Sequence, residues 1–217
     1  MENRKGKYQE QPKPRPSRGL IFIIGILVLV LIASAQQILK DQAKADRVEQ
    51  VRQVQIPDWV EIKLIDVDGT SRRGEELEDV QDIVIHYVGN PGTTAEQNRC
   101  YYCNPESSVS SHFLIGLDGE ILQCLPLYEK SSATNWRNAD TISIEVCHPD
   151  DSGQFTGATY ASLVRLTAWL MDACGLGQDH IIRHYDVTGK ECPKYFVVNE
   201  QAWEQFKSDA AEADWHG

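Results

Sequence analysis

Basic residues are scarce over most of this chain. Of 21 Lys/Arg and 32 Asp/Glu in its 217 residues, positions 1–35 hold six and two, which leaves 15 against 30 from residue 36 onward. Phosphate-backbone binding needs a basic surface, so that balance argues against nucleic acid as a partner. The excess carboxylates instead serve solubility. Internal repeats and low-complexity tracts are lacking too, which excludes a repeat array. Cys100 and Cys103 form a C-x-x-C with no second cysteine pair nearby and no strand before it, so neither a zinc ribbon nor a redox motif fits. In an exported domain a disulfide remains open to them, although helix geometry disfavours it. Cys124, Cys147 and Cys174 fall on apolar faces and read as packing residues. With 41% hydrophobic residues and five tryptophans, the chain can build a real core.

Charge is also missing from Gly19 to Ala35, a run of seventeen residues at the lower limit for a membrane-spanning helix. Arg4, Lys5, Lys7, Lys13, Arg15 and Arg18 precede it. Residues 1–18 are thus expected to be a cytoplasmic basic leader, with the chain beyond residue 35 exported. Ala33-Ser34-Ala35 also has the form of a signal-peptidase site, so secretion after cleavage competes with an uncleaved anchor. The long leader and the polar segment that follows favour the anchor. Residues 36–56 read as a polar stalk, with Leu39, Ala43, Val48 and Val51 at helix-permissive spacing. As a helix it would extend roughly 30 Å; as a linker it would be flexible. Pro57 ends it.

From Pro57 the patterns alternate between strand and helix. Trp59–Ile65 predicts a first strand, turning at Asp66–Gly69. Ile83–Val88 is nearly continuous in β-branched residues, as in a strand buried on both faces. Thr94 and Gln97 form a capping box for a short helix reaching about Cys103. Ser111–Gly116 and Glu120–Leu125 flank Leu117-Asp118-Gly119 as a hairpin. Thr141–Cys147 is a further strand and Asp150–Gly153 a loop. Tyr160, Leu163, Val164, Thr167, Leu170, Met171 and Cys174 trace an amphipathic helix that Gly175 closes. A last helix starts after Asn199 and carries Trp203 and Phe206.

His86 sits near the end of the second strand, where sheets present site residues. Alone it reads as a packed core residue. His184 follows Ile181-Ile182, and Cys192 comes eight residues later in Gly-Lys-Glu-Cys-Pro. Two imidazoles and a thiolate make a zinc-type ligand set with one position left for water, the mark of a hydrolytic rather than a structural zinc. Were Cys192 only a buried thiol, Asp186 or water would have to complete the set. Glu145 lies mid-strand between apolar neighbours. It either faces the surface or is a buried base able to take a proton from water. Lys190, two residues before Cys192, is placed to stabilise an oxyanion; otherwise it is a solvated loop lysine. His112 points either to this site or into the sheet.

Several stretches resemble the zinc-dependent N-acetylmuramoyl-L-alanine amidases of the type that includes phage T7 lysozyme and the peptidoglycan-recognition proteins. They are residues 83–88, 91–99, 109–121, 138–145 and 183–193, in order across roughly 58–206. The resemblance implies an α/β fold, a central mixed β-sheet flanked by helices and preceded here by one N-terminal transmembrane helix. It makes His86, His184 and Cys192 ligands of Zn2+, Lys190 the lysine near the metal and Glu145 the proton-transfer glutamate. The phage enzyme and the catalytic recognition proteins carry a tyrosine just before the position of His112; here Ser111 stands there, which leaves that role to Glu145.

The resemblance further implies cleavage of the amide between the lactyl group of N-acetylmuramic acid and L-alanine in peptidoglycan. The enzyme would be a monomeric catalytic domain over 57–207 with an acidic tail at 208–217. Wall targeting would rest on the membrane tether, since no wall-binding repeat is present. A non-catalytic peptidoglycan-binding module is the alternative, against which Cys192 and Glu145 argue. A cysteine peptidase would need a thiol at a helix start, and none is placed there.

Overall fold

The computed structural model describes residues 18–67 and 70–216. The basic leader up to Ser17, and Asp68-Gly69 of the expected turn, lie outside them. The described elements are α1 (Arg18–Gln53), β1 (Glu61–Ile62), β2 (Asp82–Tyr87), α2 (Ala95–Tyr102), β3 (Phe113–Ile115), β4 (Ile121–Gln123), β5 (Thr141–Val146), α3 (Gly157–Cys174), β6 (Ile181–Arg183), α4 (His184–Thr188), α5 (Lys194–Val198) and α6 (Glu200–Glu212). The chain divides into a unit ending at Gln42 and a compact unit from Ala43 to the end.

The first unit is helical in its described part, and its large apolar side chains from Phe22 to Ile32 are all exposed. By length and composition this helix can cross a membrane.

The compact unit is built on six strands in the order β1-β4-β3-β5-β2-β6. Only β3 and β4 pair antiparallel, as the hairpin expected around Gly119; the other neighbours are parallel. This is the mixed sheet flanked by helices that the resemblance implied. Side chains alternate between faces along a strand. Ile83 and Ile85 of β2, Phe113 and Ile115 of β3, and Ile142, Ile144 and Val146 of β5 all join one core with Leu163, Leu166, Trp169 and Leu170 of α3. Phe196 and α6, through Trp203 and Phe206, complete that core. The other face carries Leu114 and Leu122 under α2, in a smaller cluster with Ala95 and Tyr102. His86 and Glu145 fall on this second face by the same alternation. The α3 side therefore supplies the stability, and the α2 side is free to be polar.

Local signals produced several elements as expected. Thr94 and Gln97 make the reciprocal capping box of α2. Gly175 ends α3 in the left-handed conformation, φ 65°, that favours glycine. The first strand is shorter than its pattern. Lys63 and Ile65 still donate to Gln123 and Cys124 carbonyls, but the Lys63 and Leu64 carbonyls accept from the Arg99 guanidinium, which takes the place of a neighbouring strand.

The compact unit starts with the end of α1. Val48 and Val51 are buried in the main core, while Leu39 is exposed. Arg47 pairs with buried Asp79 at 2.6 Å, Arg52 lies 4.0 Å over the Tyr128 ring, and Gln50 donates to the Ala173 carbonyl. Burial works against the Asp79 charge, yet hydrogen bonds from Arg47, the Val80 N–H and Gln81 prevail and hold its carboxyl below the usual range. At the other terminus, α6 runs to Glu212 and sets Ala210 in the core.

Candidate active site

His86 lies at the end of β2 and is fully buried. The parallel register puts it beside Glu145 of β5. On its other side β6 pairs Arg183 with Ile85, so the next residue, His184, comes level with His86 as the chain turns into α4. The two imidazole centroids are 4.6 Å apart. Cys192 returns from the following loop, which is closed by Tyr185 N–H donating to the Cys192 carbonyl at 2.8 Å and Cys192 N–H to Lys190 at 2.7 Å. These bonds and its burial hold Cys192 in a fixed position. The Cys192 Sγ is 3.9 Å from His86 Nδ1. One potential ligand atom from each of His86, His184 and Cys192 lies within 4.8 Å of the other two.

Neighbouring groups orient the rings. Asn135 Oδ1 accepts from His184 Nε2 at 3.0 Å, and Thr134 Oγ1 sits 3.4 Å from His86 Nε2. His184 Nδ1 is thereby left as a bare lone pair, buried and without a partner. Burial, then His184 and Lys190, press the His86 pKa well below its ordinary value. Burial and Lys190 lower that of His184. Both rings are therefore neutral at pH 7, as a metal ligand must be. Burial first, with the Glu145 charge adding, pushes the Cys192 thiol up to about 12; a cation among these atoms would reverse that preference. Two neutral imidazoles, one with an orphaned nitrogen, and a thiol suit a borderline-soft ion such as zinc. Asp186, the other carboxylate considered for this set, is committed to Arg183 at 2.9 Å.

Glu145 faces this cluster and not bulk solvent. Its Oε1 is 3.8 Å from His86 Nδ1, while its Oε2 is buried and unpartnered. Burial, opposed by Lys190, raises its pKa to about 8. Lys190 is exposed on the rim. The cluster opens into a groove of about 410 Å³ whose walls include Arg73, Tyr102, Asn135 and Asn138.

Other candidates lie elsewhere. His112 is inside the sheet, bonded to Ser143 and the Glu129 carbonyl. Cys100 and Cys103 are exposed free thiols, and Cys124, Cys147 and Cys174 are buried free thiols. Thr134, which meets His86, and the groove residues Asn135, Arg73 and Tyr102 are not marked in the sequence. Thr134 and Asn135 lie at the start of a single 3-10 turn, Asn135–Arg137, where no periodicity marks them. Asn135 has φ 54°, a conformation asparagine tolerates, but that is visible only in the backbone. Tyr102 brings its phenol to Ser111, 3.1 Å away, so a tyrosine hydroxyl reaches this part of the site from α2.

A His/His/Cys cluster beside a glutamate, at the end of a mixed sheet and open to a groove, defines a candidate amide-hydrolase centre. The sequence profile of N-acetylmuramoyl-L-alanine amidases matches residues 76–195, which include all five of these groups with Lys190. The chain belongs to the N-acetylmuramoyl-L-alanine amidase family. It is 33% identical over 165 residues to the amidase BlyA of Bacillus subtilis (strain 168), covering 66% of this chain and 44% of that protein. The amidase XlyB of the same organism is 31% identical over 140 residues, covering 62% of this chain and 43% of XlyB. The chain thus spans less than half the length of these curated relatives. Among solved structures, a mutant endolysin from Bacillus subtilis superposes with a TM-score of 0.61 at 29% identity, covering 70% of this chain and 97% of the other. The catalytic domain of XlyA gives 0.62 at 27% identity, with 70% and 98% covered.

Proposed function

We propose that this chain is a zinc-dependent N-acetylmuramoyl-L-alanine amidase that cuts peptidoglycan between the lactyl group and L-alanine. It would act outside the membrane, held by its N-terminal helix over residues 19–35. The observation that carries this reading is the convergence of His86, His184 and Cys192 within 4.8 Å, with the unpaired Glu145 carboxylate beside them. Family membership supports the substrate. His86, His184 and Cys192 would hold the ion. When bound there, zinc makes water acidic enough to ionise near neutral pH and polarises a carbonyl oxygen.

The protein groups have distinct tasks. Burial favours the protonated form of Glu145, and a cation held beside it would favour the ionised one. Once ionised, Oε2 accepts a proton from the attacking water and returns it to the nitrogen of the departing L-alanine. Having no hydrogen-bond partner of its own, that oxygen needs to break no bond to do so. Lys190 brings positive charge to the rim and balances the oxyanion that develops on the lactyl carbonyl. Asn135 and Thr134 hold the imidazoles at fixed angles, so the ligand atoms stay convergent.

The test is mass analysis of peptidoglycan digested by the purified full-length protein, with and without a zinc chelator. Stem peptides with a new L-alanine amino terminus should appear, vanish on chelation and return with zinc. Binding to the wall without cleavage would turn the assignment into a binding module, and chelator-resistant cleavage within the stem would turn it into a cysteine peptidase. Glu145→Gln should lower kcat by roughly 10²- to 10⁴-fold with zinc content unchanged; an unaltered kcat would remove Glu145 from proton transfer.

A further inference from the structure

Tyr102 is the last residue of α2, and its side chain does two things at once. The ring packs in the small apolar cluster with Ile65, Leu114 and Cys124. The residue also lines the groove, in the company of Glu145 and Lys190, and borders a smaller pocket beside Arg72. The disposition of its proton follows from its neighbours. Ser111 Oγ donates its single proton to the Phe113 carbonyl at 2.8 Å, which can only accept. The 3.1 Å contact between Ser111 Oγ and the Tyr102 hydroxyl must then run the other way, with the phenol donating to the serine. Serine and tyrosine form a short relay that ends on a strand carbonyl, and the phenol oxygen is left with lone pairs and no proton to give.

We propose that Tyr102 is a substrate-binding residue whose phenol oxygen accepts a hydrogen bond from an amide N–H of the muramoyl peptide in the groove. This rests on the amidase reading above. A muramoyl peptide presents amide N–H groups as well as carbonyls and carboxylates. Cations such as Lys190 and Arg73 serve only the latter, so the N–H groups need acceptors once they leave water. Most acceptors placed there would be charged or would compete for a metal. A phenol that has already donated is neutral and oriented, and burial of its ring leaves it little freedom to turn away. Burial, followed by the nearby Glu145 charge, also raises the phenol well above its ordinary pKa. It keeps its proton throughout the neutral range, and the relay keeps its polarity.

Four full-length proteins test this: the unaltered chain, Tyr102→Phe, Ser111→Ala and the double variant. The ligand is a soluble disaccharide tetrapeptide from digested peptidoglycan. Binding is measured by calorimetry on zinc-stripped protein, and kcat and KM on the zinc-loaded form. Tyr102→Phe keeps the ring, so it should leave the unfolding midpoint within error while weakening binding roughly 2- to 12-fold, the range of one neutral hydrogen bond. The loss should appear in KM more than in kcat. Ser111→Ala releases the phenol proton and should weaken binding in the tyrosine background but do nothing further in the phenylalanine background. Equal binding by Tyr102→Phe and the unaltered chain overturns the proposal. A lower unfolding midpoint with unchanged affinity also overturns it and makes the phenol a structural group. An unaltered chain that neither binds nor cleaves removes the amidase reading and this inference together, whereas cleavage whose KM Tyr102→Phe leaves unaltered removes only the inference.

Discussion

At His112 the strand interior provides a partner for each ring nitrogen: the Ser143 N–H donates to Nδ1 at 3.0 Å and Nε2 donates to the Glu129 carbonyl at 2.8 Å. At the end of the same sheet, His184 has a partner on Nε2 alone, and its buried Nδ1 has none. Both rings are inaccessible to solvent or nearly so. Carboxylates divide the same way. Glu129 is buried against Arg72, with both oxygens taken at 2.7 and 2.8 Å, while Glu145 keeps a buried oxygen free. Burial of a polar side chain therefore says little about its use. The number of its atoms left unsatisfied says more, because an orphaned buried group costs on the order of 1–3 kcal/mol, although His148 Nε2 and Thr167 Oγ1 are orphaned outside the groove as well.

Removing a proposed ligand should produce the largest break between the two regions. Cys192→Ser should leave the purified protein with little zinc by elemental analysis and no detectable hydrolysis; full zinc occupancy with normal cleavage would erase the proposed centre. Asn135→Ala acts one step further out. It removes the acceptor that fixes the His184 tautomer, and metal affinity in a competitive chelator titration should fall roughly 10- to 100-fold. An affinity equal to that of the unaltered chain would mean that the ring is held by packing alone.

His112→Gln should show the smallest effect on the site and a measurable one on the fold. Zinc content should not change, and denaturant unfolding should reveal a loss of about 1–3 kcal/mol at pH 7. The pH dependence carries a definite sign. Burial depresses the His112 pKa from 6.5 to about 4, so between those values the unfolded chain binds the extra proton. The contribution of His112 is complete above pH 6.5 and erodes as pH falls, by about 3 kcal/mol near pH 4. The cost of the substitution should accordingly shrink with acidification; a cost that grew would show the ring to be charged in the fold.

Much of the fold and of the site is legible in the order of the residues. The capping box at Thr94, the glycine closing α3, the Leu117-Asp118-Gly119 hairpin and the β-branched run of β2 are short-range signals, each carried by a few neighbouring residues. His86 and His184 near strand ends, Glu145 as a carboxylate among apolar strand neighbours, and Lys190 and Cys192 in a Gly-Lys-Glu-Cys-Pro loop are readable locally, and the fold sets all five around one groove. Thr134 and Asn135 cannot be found this way, since nothing in one short 3-10 turn indicates which distant ring a side chain will meet. The end of α1 is equally hidden. Val48 and Val51 have the spacing of any helix, and only the exposed edge of the core they cover distinguishes them from a stalk.

The sequence alone determined the period of most elements, the points where several helices start and stop, an apolar segment near the N-terminus long enough to cross a membrane and a set of residue types suited to a soft metal. Those depend on backbone sterics and side-chain patterns within a few residues. Tertiary structure decided which of those residues meet. The register that levels His86 with Glu145 and His184 is set by three strands drawn from widely separated parts of the chain, each slid until its alternate side chains fill the core under α3. A shift of one residue would turn Glu145 and His86 into that core and bring isoleucines to the groove. No local pattern contains that choice, because its free energy belongs to the packed faces as a whole.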